Sequence, residues 1–163
     1  MIVTDKINLK AAIVAGIIAG VVFMMLEMVL VGTVGGQSPW GPPQMIAAMA
    51  MGKGVLPPPA AFDPVIMAVA MMIHLVLSIL LGVVLGWVIS HWRLSLVAAI
   101  VAGIGFGLLV YFLNFYVMTA VFPWFAMARG GISIFAHAAF GLVLGWAYSA
   151  IAKPNHSERL HNA

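Results

Sequence analysis

The chain has 163 residues, of which 64% are hydrophobic and only 7% charged, and its mean hydropathy is +1.17. Soluble domains carry about a quarter charged residues, so this composition excludes a water-soluble globule, a disordered tail and a nucleic-acid binder. The net charge of +3 rests on 7 scattered basic residues, and with no cysteine there is no disulfide framework, thiolate metal site or cysteine nucleophile.

A membrane-crossing helix needs about 20 consecutive apolar residues. Four stretches qualify, 9–34, 65–90, 94–122 and 132–152. The first is longer than a signal-peptide core and has no small-residue cleavage site, so it reads as a mature span. Between the first and second spans, 35–63 is an outer loop holding Pro39, Pro42, Pro43 and the run 57–59. Within it, 44–51 with Pro43 at the first turn fits a short helix, too short to cross. Two readings stay open for it, a cap in the outer interface and an ordinary long loop. Asp63 before Pro64 reads as the N-cap of the second span. The third and fourth spans follow after short connections, and 153–163 is a polar tail.

Lys6, Lys10, Arg93, Lys153 and Arg159 fall on the side shared by both termini, against Lys53 and Arg129 opposite. The positive-inside rule then puts both termini in the cytoplasm. Trp40 and Trp124 would mark the outer interface, and Trp87, Trp92 and Trp146 the inner one.

The segment Ala-Ala-Ile-Val-Ala-Gly-Ile at 11–17 recurs unchanged at 98–104, and Gly-Val-Val-Leu-Gly-Trp at 82–87 is matched by Gly-Leu-Val-Leu-Gly-Trp at 141–146. The fold class expected is therefore an all-α membrane protein, four transmembrane helices arranged as two parallel-repeat helical hairpins. Such repeats occur in transporters and equally in inert bundles. Small residues mark the packed faces: His74, Ser78, Gly82, Gly86 and Ser90 recur every fourth position, as do Ser133, His137, Gly141, Gly145 and Ser149.

Four polar residues lie inside the apolar spans, Glu27, His74, Asn114 and His137. Helical rise places them roughly 8–14 Å below the outer surface. An ionised side chain there costs at least about 2.5–3.5 kcal/mol, so Glu27 needs a proton, a histidine partner or a cation. The site read from this is Glu27, His74 and His137 as cation or metal ligands, or as a proton relay, with Asn114 as a neutral partner. The competing reading is that the same four residues only hydrogen-bond helix to helix. In the register of the repeat the histidines differ in depth by about 6 Å, which is awkward for bis-histidine haem. Of 12 methionines all but Met1 fall toward the outer side; with imidazole they suit copper, while copper and zinc are the metals considered and haem is the poorer fit. Methionine is equally a routine packing filler. Arg129 is placed to meet either Glu27 or a lipid headgroup. No Walker loop, dinucleotide fingerprint, nucleophile elbow or zinc-protease helix is present, so no enzyme is expected.

A Gly-rich first span ending in Glu27, then Gly-Gly-Gln-Ser-Pro-Trp at 35–40, then His74-x-x-x-Ser78 resemble the YagU-like group of small bacterial inner-membrane proteins. So do Asn114-Phe115-Tyr116 leading to Phe122-Pro123-Trp124-Phe125, and His137-x-x-x-Gly141. The resemblance implies a four-helix protein of the bacterial inner membrane. In that group's pattern the third span carries a histidine where this chain has Asn114, so a three-histidine site does not carry over. The functions that follow are cation binding or proton relay, in a transport or channel-like role, or service as an accessory subunit of a larger membrane complex. The expected partners are the bilayer and a second copy or another membrane protein.

Overall fold

The computed structural model describes residues 7–56 and 60–152; the tail 153–163 lies outside the described residues, as do Lys6 and the proline run 57–59. Five α-helices follow in order: α1 (Leu9–Thr33), α2 (Gly41–Met51), α3 (Pro64–His91), α4 (Leu96–Phe112) and α5 (Gly131–Ile151). Each long helix that begins after a polar residue is capped by it. Asn8 Oδ1 accepts from Ala11 N–H, Asp63 Oδ1 from Val65 and Ile66 N–H, and Ser95 Oγ from Ala98 N–H. Those bonds satisfy amides that have no partner inside their helices.

Four helical stretches are long and apolar enough to cross a bilayer: Leu9–Thr33, Pro64–His91, Leu96–Ala120 and Gly131–Ile151. The all-α membrane fold is thus as the composition dictates. The loop between α1 and α3 contains a full helix: α2 starts at Gly41, with Pro42 and Pro43 in its first turn, and buries Ala47 and Ala48 against its neighbours. It packs mainly on α3, and Trp124 Nε1–H donates to Met45 O at 2.9 Å. The helix expected from Pro43 is present and starts two residues earlier.

The third span departs from a single helix. After Phe112 the backbone widens into a π turn at Leu113–Val117 and tightens into a 3-10 turn at Met118–Ala120, followed by a second 3-10 stretch, Pro123–Ala128. The widened turn re-aims Asn114 and Phe115. It also leaves the Phe115 carbonyl to accept from Arg129 Nε–H at 2.7 Å.

Two helix pairs pack closely, α1 on α3 and α4 on α5, and α1 also packs on α5. Glycine makes this possible. A Cβ on Gly82 would stand 2.6 Å from Ala12 O, and one on Gly16 would stand 2.7 Å from Ser78 O. Across the other pair, a Cβ on Gly141, Gly103 or Gly107 would collide with the facing backbone. Lipid offers no hydrophobic drive for helices to associate, so this backbone-to-backbone approach carries the packing. In contrast α3 and α4, joined by a short turn, barely touch along their length. The bundle is therefore closed on the α1–α5 side and parted on the α3–α4 side.

The end bearing the α3–α4 turn is solid. Ala11, Ala15, Leu85, Ile89, Leu144 and Ala147 form a buried core there. Tyr148 closes it, its hydroxyl bonding Ser90 Oγ at 2.6 Å and accepting from Asn8 N–H at 3.2 Å. Replacing Gly141 by alanine is expected to destabilise the protein by about 1–3 kcal/mol. Gly105→Ala, where an added Cβ meets nothing within 4 Å, is expected to leave stability unchanged; thermal unfolding in detergent measures both.

Candidate functional site

Toward the end covered by α2, the core gives way to polar side chains. Glu27 on α1 is 5% exposed, and Ser133 and His137 on α5 are each 3% exposed. Ser133 is the hub. Its hydroxyl donates to Glu27 Oε1 at 2.6 Å, and its carbonyl accepts from His137 Nδ1–H at 2.7 Å. That bond fixes the tautomer of neutral His137, leaving Nε2 to accept from Asn114 Nδ2–H at 3.2 Å. One chain of hydrogen bonds thus links α1, α5 and the wide turn beyond α4. On the other flank His74 Nε2–H donates to Gly20 O at 2.9 Å, tying α3 to α1.

Phe23 on α1 lies between the two imidazoles. Its centroid is 5.3 Å from that of His74, stacked, and 4.7 Å from that of His137, edge-on. Tyr111 and Phe115 complete an aromatic box round His137, at 5.6 and 5.4 Å.

This geometry changes the register expected of the histidines. Sequence matching pairs His74 with Ser133, one turn from His137. In the fold, Gly82 packs on Ala12 as Gly145 packs on Ala99, and His74 meets Gly20 as His137 meets Gly107. The close contacts of α5 on α4 are therefore displaced by one turn from the sequence match, and the histidines occupy equivalent packing positions. The expected offset of about 6 Å is replaced by two rings flanking one phenyl. The direct Glu27–histidine pair is likewise replaced, with Ser133 standing between them. Arg129 does not meet Glu27: exposed, it donates to Phe115 O and Thr119 Oγ1, and its guanidinium lies 4.4 Å over the Tyr116 ring.

Glu27, His74, Asn114 and His137 all line one cavity of about 540 Å³. Its roof is Pro42, Met45 and Met49 of α2. Its side lies between Leu77, Leu80 and Val84 of α3 and Val110 and Leu113 near the end of α4, where those helices part. The second oxygen of Glu27, Oε2, is buried and has no hydrogen-bond partner.

The expected ligands therefore share a cavity without sharing a point. Among the described residues no three His, Cys, Asp or Glu side chains form a metal-ligand group. His137 has both ring nitrogens engaged, so His74 Nδ1 is the imidazole nitrogen left over, a donor set that does not fit bis-histidine haem or a two-histidine copper site.

Sequence reasoning placed Ser133 only in a packing row and passed over Phe23. Ser133 sits one turn before His137, so its carbonyl is in reach of that imidazole; that spacing was the available signal. Phe23, among many apolar neighbours, gave none. No protein-family model, characterised protein or solved structure matches the chain.

Removing the Ser133 hydroxyl leaves Glu27 buried without a partner on either oxygen. Ser133→Ala is expected to cost about 1–3 kcal/mol, and Ser133→Ala combined with Glu27→Met to recover most of it. Denaturant unfolding in mixed micelles checks the pair.

Proposed function

We propose that this is a protein of the bacterial inner membrane, both termini cytoplasmic, whose Glu27 exchanges a proton for a cation within the cavity beneath α2. The observation that carries the reading is the Glu27 carboxyl group, one oxygen held by Ser133 and the other buried and unpartnered, on a side chain that lines the cavity. Nothing in an apolar bundle compensates a lone carboxylate, so that oxygen calls for a proton or a cation. Pockets of a few hundred Å³, apolar with a few convergent polar groups, are the usual form of small-ligand sites.

Each residue has a role in this reading. Glu27 is the exchangeable acid. Ser133 holds it in one rotamer and couples it to His137, whose second nitrogen rests on Asn114. His74 lines the same space, its Nε2 bound to Gly20 O. The resemblance to the YagU-like group supports the membrane assignment, and the distribution of lysine and arginine supports the orientation.

The solid core at the turn end favours an exchange site over an open channel. Leu85, Phe140, Leu144 and Tyr148 are all buried between the cavity and that end. Crossing would require this layer to part, as in alternating access. In liposomes carrying the protein, proton-coupled cation flux is expected to be slow and saturable, and to be abolished by Glu27→Gln. Equal flux from both proteins would remove transport from the reading.

A further inference from the structure

Resting on the reading of Glu27 as the exchangeable acid, we infer that the cavity takes a membrane-dissolved amphiphilic monocation. It would be an organic ammonium or aromatic amine with an apolar body, reaching the site sideways between α3 and α4. Three independent features lead there.

The first is the wall chemistry. Apart from the polar cluster and Gln37, Ser38, Ser78 and Arg129, the cavity wall is apolar, with Leu77, Leu81, Ile46, Met45, Phe125 and Phe140 among its residues. A hydrated inorganic ion gains nothing from such walls, whereas an apolar body is desolvated by them. Methionine and aromatic side chains also adapt to ligands of varied shape and attract cations.

The second is charge. The unpartnered Glu27 Oε2 is an acceptor when ionised and needs a charge-assisted donor. The polar groups that line the cavity with it from the surrounding helices are neutral or engaged: His74 and Ser78 on α3, Ser133 and His137 on α5, and Asn114 beyond α4. α2 contributes only apolar side chains to the lining. Arg129 at the rim is held by Phe115 O, Thr119 Oγ1 and the face of Tyr116. An acidic amphiphile would leave Glu27 uncompensated; a cationic one compensates it.

The third is access. The α1–α3 and α4–α5 interfaces are sealed by close glycine contacts and α1 also packs on α5, while α3 and α4 part where Leu80, Val84 and Leu113 stand about half exposed. That seam faces the bilayer, where an amphiphilic cation concentrates. On binding, the ammonium N–H donates to Oε2 and the carboxyl proton is released; no other bond changes.

Ethidium, an aromatic monocation carrying amino groups, is the probe, titrated into the protein in phosphatidylcholine nanodiscs against empty nanodiscs. Saturable fluorescence enhancement is expected, with protons released into weak buffer and affinity falling as pH drops. Glu27→Gln, nearly isosteric and still able to accept from Ser133, is expected to weaken binding about tenfold to a hundredfold. Glu27→Asp retains the charge and most of the affinity. Leu80→Trp, on the lipid-facing seam, is expected to slow binding. Dodecylammonium should displace ethidium, and dodecanol should not. Unaltered ethidium binding by Glu27→Gln, or equal displacement by dodecanol, would overturn the inference. Absence of ethidium binding by a protein whose Glu27-dependent flux persists would overturn it alone, leaving the exchange reading in place.

Discussion

Inside a bilayer a carboxyl group has few ways to be satisfied, and the capped half of this bundle is organised around one of them. Glu27 gives one oxygen to the Ser133 hydroxyl across the α1–α5 contact and keeps the other buried without a partner. A fully satisfied carboxyl would be a packing device, no different from the Ser90–Tyr148 bond at the opposite end. A half-satisfied one stores a demand for a proton or a cation. Intramembrane acids of this kind often mark sites of exchange.

The small residues make that placement possible. Backbone contact at Gly16, Gly82, Gly103 and Gly141 holds α1 to α3 and α4 to α5, and the same closeness brings Gly20 O within reach of His74 Nε2. Phe23 then occupies the space between the two imidazoles, fixing both rings against one surface. The bundle is uneven in consequence. α1 meets α5 tightly, but α3 and α4 diverge, and the room between them is the cavity. The wide turn at Leu113–Val117 belongs to the same device, since it presents Asn114 to His137 and lends the Phe115 carbonyl to Arg129. Arg129 is thereby withheld from Glu27, and the acid stays without a built-in counter-charge.

Much of this was legible in the residues. Apolar runs of bilayer length located four spans to within a few residues, because length and hydropathy alone decide crossing. Asp63 declared the start of α3, and Pro43 the start of a helix in the loop. The fourfold spacing of small residues identified the packed faces, and the scarcity of buried polar side chains picked out Glu27, His74, Asn114 and His137. What was not legible is how these meet. Sequence identity aligned 82–87 with 141–146, yet interhelical packing is set by which small residues let backbones approach, and that displaced α5 on α4 by a turn. The departure from α-helix at Leu113 left no mark among apolar neighbours. Ser133 looked like one more small residue, although it is the atom-level link between acid and imidazole.

The most direct test of Glu27 as an open, exchangeable acid is infrared difference spectroscopy of the protein in lipid. The carboxylic C=O band that Glu27→Gln removes is expected to respond to external pH from the side bearing α2, and to lose intensity when an amphiphilic cation is added. A Glu27 band indifferent to both pH and cation would mean that the carboxyl is sealed into the packing, and would contradict the account.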